Sequence, residues 1–131
     1  MDEKVFAEGM AARRRVLGDE YVDRALANAV EFGKPLQEMV TQYCWGWLWN
    51  RDGLSFKMRS LINLGILSAL GREDELRLHL AGALRNGCST EEIQEALLQV
   101  GVYCGVPAAV SAFRIAQEVI ADHDSDTPLN G

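Results

Sequence analysis

This 131-residue chain lacks most of the common devices for building a catalytic or binding site. It has three cysteines, Cys44, Cys88 and Cys104, widely spaced and odd in number. With no CxxC and no histidine at ligand spacing, they form neither a disulfide framework nor a zinc site, and buried reduced thiols are expected. Only two histidines are present, too few for a histidine-rich metal centre. No metal or other cofactor is therefore expected. No segment reaches the roughly 18 apolar residues that a membrane span requires. The start, Met1-Asp2-Glu3-Lys4, lacks the basic and apolar pattern of a signal peptide, so a cytoplasmic address is expected. There is no long basic run and the net charge is −6, which argues against nucleic acid or an anionic membrane as partner. A glycine-rich phosphate loop, a dinucleotide fingerprint and a GxSxG elbow are all missing. No stretch alternates apolar and polar residues for a strand's length.

What remains is helical periodicity. At 48% hydrophobic residues and 131 residues in all, the chain has the composition and length of one all-α domain of about six or seven helices. The expected domain covers residues 1–122, with a polar tail over 123–131. Residues 3–16 form a first helix with Val5, Phe6, Met10 and Val16 on one side and Arg13-Arg14-Arg15 as a solvated end. Gly18 breaks it, Asp19 caps a second helix over about 20–32, and Gly33 and Pro35 punctuate. Residues 35–50 carry Leu36, Met39, Val40, Tyr43, Cys44, Trp47 and Leu48 at helical spacing. Glu38, Gln42, Trp45 and Trp49 form a second stripe. Two tryptophans on that side are read either as a subunit interface or ligand pocket, or as residues covered by a neighbouring helix.

A helix from Ser55 to about Leu70 would turn Met58, Leu61, Ile62, Gly65, Ile66 and Ala69 inward, with Arg59 and Asn63 beside them. Gly71-Arg72 is a short link, which favours antiparallel packing of the next helix and lets Arg59 approach His79. That next helix, Glu73 to Asn86, opens with three acidic residues, closes with Arg85 and stops at Gly87. Ser89 and Glu92 make a capping box for a helix to about Cys104, burying Ile93, Ala96, Leu97, Val100 and Gly101. Gly105 ends it, and Pro107 suits the first turn of a last helix to about Asp122. That helix is apolar on much of its circumference, through Val106, Ala109, Val110, Phe113, Ile115, Ala116, Val119 and Ile120.

His79 lies three residues from Leu76 and four from Ala83, on or beside the apolar face of its helix. Spacing alone leaves it as a core histidine satisfied by a carbonyl or as a general acid or base. With arginines at 51, 59, 72 and 77, Glu38, Tyr43, Tyr103 and the tryptophans, the inventory suits a cofactor-free reaction on a small anion.

These residues carry a resemblance. Leu17-Gly18-Asp19 with Tyr21-Val22-Asp23-Arg24, Tyr43-Cys44-Trp45-Gly46 through Trp49, and Arg51-Asp52-Gly53-Leu54 resemble the carboxymuconolactone decarboxylase family. Arg59-Ser60-Leu61, Ala69-Leu70-Gly71-Arg72, Glu75-Leu76-Arg77-Leu78-His79, Asn86-Gly87 and Tyr103-Cys104-Gly105-Val106-Pro107-Ala108-Ala109 continue the likeness over about residues 3–121. It is nearest to the gamma-carboxymuconolactone decarboxylase branch. The related alkylhydroperoxidase-like branch uses CxxC followed by xxxH and an upstream glutamate. Aligned on His79, those cysteine positions hold Arg72 and Glu75, and the glutamate position holds Ser60, so dithiol peroxidase chemistry is not expected.

The resemblance implies an alkylhydroperoxidase-like helical fold, a homo-oligomer (a hexamer in the family's usual form), and a lactone carboxylate of protocatechuate catabolism as substrate. The expected reaction is decarboxylation of 4-carboxymuconolactone to beta-ketoadipate enol-lactone, with a related decarboxylase or isomerase on another unsaturated acid, or a non-catalytic oligomeric binding protein, as the alternatives. The substrate holds its own electron sink, so no cofactor is implied. In this reading His79 donates the proton, and Glu38 either orients it, shapes the pocket or forms a structural ion pair with an arginine. Arg59 binds the anion, with Arg51 and Arg72 as further candidates, and Trp45 and Tyr103 wall the pocket.

Overall fold

The computed structural model describes residues 2–126, and all regular secondary structure among them is helical. The order is α1 (Glu3–Leu17), α2 (Asp19–Asn28), α3 (Val30–Met39), a π-helix (Val40–Leu48), α4 (Phe56–Leu70), α5 (Glu73–Arg85), α6 (Thr90–Cys104) and α7 (Val106–Asp126). The all-α expectation holds. The chain condenses into two compact units, one up to Phe56 and one from Lys57 onward.

In the first unit, α1 packs on the π-helix along the tightest seam of the chain. A Cβ at Gly9 would lie 2.2 Å from the Thr41 carbonyl oxygen and 2.7 Å from the Gly46 nitrogen, and one at Gly46 would lie 2.6 Å from the Val5 carbonyl oxygen. Only hydrogen fits at either position, so backbone meets backbone. Arg13, expected in solvent, is 4% exposed against this seam. Its guanidinium donates to Thr41 Oγ1 at 3.2 Å and to Gln37 Oε1 at 2.8 Å. Burial lowers its pKa, opposed by Tyr21 and Cys44. Arg14 stays at the surface, paired with Asp19 at 3.2 Å and Asp23 at 2.9 Å.

The π register shows in Trp49 N–H, which donates to Cys44 O five residues back at 3.0 Å. Trp45 and Trp49 stack with centroids 4.9 Å apart, and Phe56 meets Trp49 edge-on at 5.4 Å. Both tryptophans are buried, so the reading in which the chain itself covers them is the one observed. The stripe expected inside is instead outside: Leu36, Met39, Tyr43, Trp47 and Leu48 are all exposed. The break expected at Gly33 and Pro35 falls earlier. Val30 has φ of 45°, and both other residues lie within α3.

In the second unit, Leu64, Leu76, Leu80, Ala83, Cys88, Ile93, Leu97, Ala112, Ile115, Ala116 and Val119 form one core. The inward faces read for α5 and α6 hold at Leu76, Leu80, Ala83, Ile93, Leu97 and Val100. On α4 the buried side chains are Ser60, Leu64 and Ser68, while Met58, Ile62 and Ile66 are about half exposed. Two serines and one leucine face the core, with Leu61 and Leu67 partly buried against it, while the expected Met58, Ile62 and Ile66 do not. On α7, Val106 and Val110 are likewise exposed.

The stop signals stand where expected, with Gly18, Gly71, Gly87 and Gly105 all at positive φ. Ser89 and Glu92 form the capping box. Glu92 Oε1 accepts from Ser89 N–H at 2.9 Å, and its Oε2 pairs with Lys57 Nζ at 2.9 Å. Helix α7 continues to Asp126, past the expected end at Asp122 and through His123. The rest of the expected tail lies outside the described residues. The thiols are free, but Cys88 alone is buried; Cys44 is intermediate and Cys104 exposed, a correction to three buried thiols.

Substituting Gly9 or Gly46 by alanine forces apart a backbone contact and is expected to destabilise the protein by about 1–3 kcal/mol, as overpacking does. Gly65→Ala is the control: its Cβ meets nothing within 4 Å. There the helix gains about 0.5–1 kcal/mol. Urea midpoints at unchanged m-value report both.

Candidate active site

Helix α5 is built to hold His79. Glu73, Asp74 and Glu75 occupy its first turn and Arg85 its last, in the sense the helix dipole favours. Leu76, Leu80 and Ala83 fix one face in the core, which leaves His79 half-buried at the edge of that face. Desolvation lowers the His79 pKa from its ordinary value of 6.5, and the Glu75 carboxylate one turn earlier opposes the shift. Glu75 is itself held by Arg72, whose Nη2 lies 3.1 Å from Glu75 Oε1. A backbone hydrogen bond from its own residue, and after it the Arg72 guanidinium, hold the Glu75 carboxyl below its usual range. The start of α5 is thus a short electrostatic relay from a surface arginine to a half-buried imidazole.

The antiparallel arrangement of α4 and α5 is fixed at the far end. Asn86, which caps α5, donates from Nδ2 to Ser60 Oγ at 2.9 Å. Ser60 is fully buried on the first turns of α4, one residue after Arg59. His79 precedes Asn86 by seven residues, or about 10 Å along the helix axis at 1.5 Å per residue. The Arg59 backbone therefore stands level with the end of α5 rather than with His79. Asn86 Oδ1 is buried and has no hydrogen-bond partner among the described residues. A buried acceptor left in that state costs about 1–3 kcal/mol.

The remaining expected site residues fall elsewhere. Tyr103 is 82% exposed and lines a groove of about 800 Å³ between α4 and α6. That groove has Met58, Leu61 and Ile62 on its wall and Glu91, Glu92 and Glu95 on its rim, and neither His79 nor Arg59 lines it. In the first unit, Glu38 is half-buried on α3. Trp45 is 2% exposed, so its ring is spent on Trp49 and presents almost no surface. Arg51 is exposed, with its guanidinium 4.9 Å from the Trp47 ring centroid. Arg72 is exposed and engaged by Glu75.

No group of three or more histidine, cysteine or acidic side chains suited to a metal occurs among the described residues. Burial raises the Cys44 and Cys88 pKa values, which keeps those thiols protonated and poorly nucleophilic.

Because the folded imidazole binds its proton less readily than the unfolded one, His79 favours the native state above pH 6.5. That contribution is lost as pH falls through 6.5 toward the lowered value. In an NMR titration the His79 ring is expected to titrate below 6.5. Glu75→Gln removes the opposing charge and moves the midpoint lower still. A wild-type midpoint above 6.5, or an upward move in the variant, contradicts this electrostatic description.

No described helix is long and apolar enough to cross a membrane. Residues 34–118 match the model of the carboxymuconolactone decarboxylase family. The chain is 43% identical over 122 residues to the nitrosuccinic acid decarboxylase npaB of Metarhizium robertsii, covering 93% of this chain and 85% of that protein. It is 40% identical over 121 residues to the 4-carboxymuconolactone decarboxylase of Acinetobacter baylyi, covering 92% and 90%. With a matching family model over most of its helices and near-full-length relatives at this identity, the chain belongs to the carboxymuconolactone decarboxylase family.

Proposed function

We propose that this chain is a carboxy-lyase that decarboxylates 4-carboxymuconolactone to beta-ketoadipate enol-lactone in protocatechuate catabolism. His79 serves as proton donor and Arg59 as carboxylate ligand. The observation that carries the reading is the α4–α5 pair: a half-buried imidazole with one carboxylate beside it, and an arginine one residue from the buried Ser60–Asn86 bond. The relatives named above, both decarboxylases, support the reaction type.

The chemistry follows from the substrate. The bond between the ring carbon and its carboxylate breaks, and carbon dioxide leaves. The electron pair passes through the ring double bond to the lactone carbonyl, whose oxygen becomes an enolate. His79 then delivers a proton to the carbon alpha to that carbonyl. The substrate is its own electron sink, so protein side chains suffice. A neutral imidazole in the free protein gains a proton as the dianion binds, since a nearby negative charge favours the charged form. The kcat/KM profile is therefore expected to fall above a pKa below 6.5, and kcat above a higher one.

A second reading is favoured by the 43% identity to the nitrosuccinic acid decarboxylase. Nitrosuccinic acid and 4-carboxymuconolactone share a succinate skeleton. One carbon bears the carboxylate that leaves, a carboxymethyl arm that stays, and an electron sink, either a nitro group or the unsaturated lactone. One arginine can hold the retained arm in both. In this reading Arg59 takes that role, so that the sink alone distinguishes the substrates.

The exposed stripe of Leu36, Met39, Tyr43 and Trp47, with Phe32 96% exposed, and the exposed Val102, Val106 and Val110 support a homo-oligomer, with a hexamer as the expected form. Light scattering is expected to give about six times the 14.5 kDa chain mass. A monomer at micromolar concentration contradicts it. A cytoplasmic address suits an enzyme acting on a small metabolite. Turnover of the lactone, followed by loss of its ultraviolet absorbance beside nitrosuccinate as competitor substrate, tests the function. Wild type is expected to consume the lactone, and His79→Ala to lose at least about 10²-fold in kcat, as removal of a general acid does. A His79→Ala rate near wild type removes the proton donor from this mechanism.

A further inference from the structure

We propose that the first unit carries a ligand site of its own, an open cleft along α1 that binds a small apolar amino acid as its zwitterion through Arg15, Asn50 and Glu8. The site is independent of the decarboxylase reading. It starts from the Arg13-Arg14-Arg15 run. Arg13 is buried against Thr41 and Gln37, and Arg14 is held by Asp19 and Asp23. Arg15 is exposed and makes no hydrogen bond or ion pair with any described residue. Its guanidinium carbon lies 4.1 Å from the centroid of the Phe56 ring. Phe56 meets Trp49 edge-on, and Trp49 stacks on Trp45, with both tryptophans buried. The flat face of Arg15 therefore rests on a row of three rings, and its N–H edge stays open. A guanidinium held in this way loses little freedom when its fork closes on a carboxylate.

Arg15 lines a cleft of about 370 Å³ with Glu8, Ala11, Ala12, Asn50 and Phe56, a volume within the range of small-molecule pockets. Residues 8, 11, 12 and 15 form one stripe of α1, with a charge at each end and alanines between. Asn50 is pinned beside that stripe. Its Nδ2 donates to Glu8 O at 3.1 Å and to Trp45 O at 3.2 Å. Two carbonyl oxygens can be met only by the NH2 end of the amide, so the free end is Oδ1, an acceptor. The cleft thus offers a cationic fork, a neutral acceptor and a carboxylate over an apolar floor. A plain carboxylate meets Arg15 but is repelled by Glu8, and a plain amine meets Glu8 but is repelled by Arg15. A zwitterion answers both charges. Its carboxylate takes the Arg15 fork, its ammonium donates to Asn50 Oδ1 and Glu8, and its side chain lies along Ala11, Ala12 and Phe56. The turns of Glu8 and Arg15 stand about 10 Å apart along the helix axis. Two hydrogen bonds of about 3 Å with an amino acid's N–Cα–C backbone between them are of that length.

L-leucine is the probe, compared with 4-methylpentanoate, which lacks the ammonium, and L-leucinamide, which lacks the carboxylate. Titrations of the full chain are followed by the NMR signals of the Asn50 side-chain amide and the Arg15 Nε–H. Leucine is expected to shift both signals saturably, and each comparator to bind at least about tenfold more weakly. Arg15→Met keeps an apolar stem over Phe56 and removes the fork, and is expected to weaken leucine binding by at least about tenfold, read at Asn50. Glu8→Gln is expected to weaken leucine while narrowing its advantage over 4-methylpentanoate. Circular dichroism checks that each variant folds. If Arg15→Met does not, Arg15→Lys decides, since it keeps the charge and loses the fork. Three results overturn the proposal: no saturable shift with tens of millimolar leucine, 4-methylpentanoate binding as tightly as leucine, or a folded Arg15 variant that binds leucine like wild type. None of them touches the decarboxylase reading, which stands or falls on lactone turnover.

Discussion

The hydrogen bond between the Asn86 amide and Ser60 is the constraint on which the second unit's geometry rests. It joins the end of α5 to the beginning of α4, and with the tight link at Gly71 it leaves the two helices one antiparallel register. Move that register by one turn and Arg59 changes its level relative to His79 by about 5 Å, the pitch of a helix. The pairing joins a fully buried serine hydroxyl to the amide of a half-buried asparagine. Ser60 accepts from the Asn86 amide and serves as a structural anchor between the two helices.

Much of the second unit was legible because its signals are local. The acidic first turn of α5, the Ser89–Glu92 capping box and the glycine stops each depend on residues within a few positions of one another. The periodicity of Leu76, Leu80, Ala83, Ile93 and Leu97 reports a core of ordinary side chains at ordinary helix separation. Two faces were misread for one shared reason. A hydrophobic stripe marks burial only when helices pack through large side chains. At the α1–π seam the contact is made by Gly9, Gly46 and Thr41, and on α4 the buried positions are Ser60, Leu64 and Ser68. Where small residues hold buried positions, the stripe of large apolar residues beside them does not mark the core.

The π-helix adds a second cause. Its hydrogen bonds run from residue i+5 to residue i, so each turn holds an extra residue and the face assignments made at 3.6 residues per turn drift. Trp45 and Trp49, four apart, come into stacking contact. No composition marks this register in advance. A buried guanidinium is equally hard to foresee: within Arg13-Arg14-Arg15 one arginine is buried among Thr41 and Gln37 while its neighbour pairs with surface carboxylates. Of the expected site residues, His79 was singled out from the spacing of its own helix. The hydrogen bond from Asn86 to Ser60 was not legible, because a sequence separation of 26 residues carries no periodic signal.

The carboxylate of Glu92 performs two tasks with two oxygens, closing the capping box of α6 and holding Lys57 at the start of α4. Both partners lower its pKa, the Ser89 backbone first and Lys57 after it. Its contribution to stability is therefore present above the ordinary carboxylate range and is lost as pH falls through the lowered value. A single protonation therefore weakens two contacts at once, the carboxylate half of the capping box and the ion pair to Lys57, while the Ser89 hydroxyl still accepts from Glu92 N–H. The start of α6 and the start of α4 are thus coupled to the same proton.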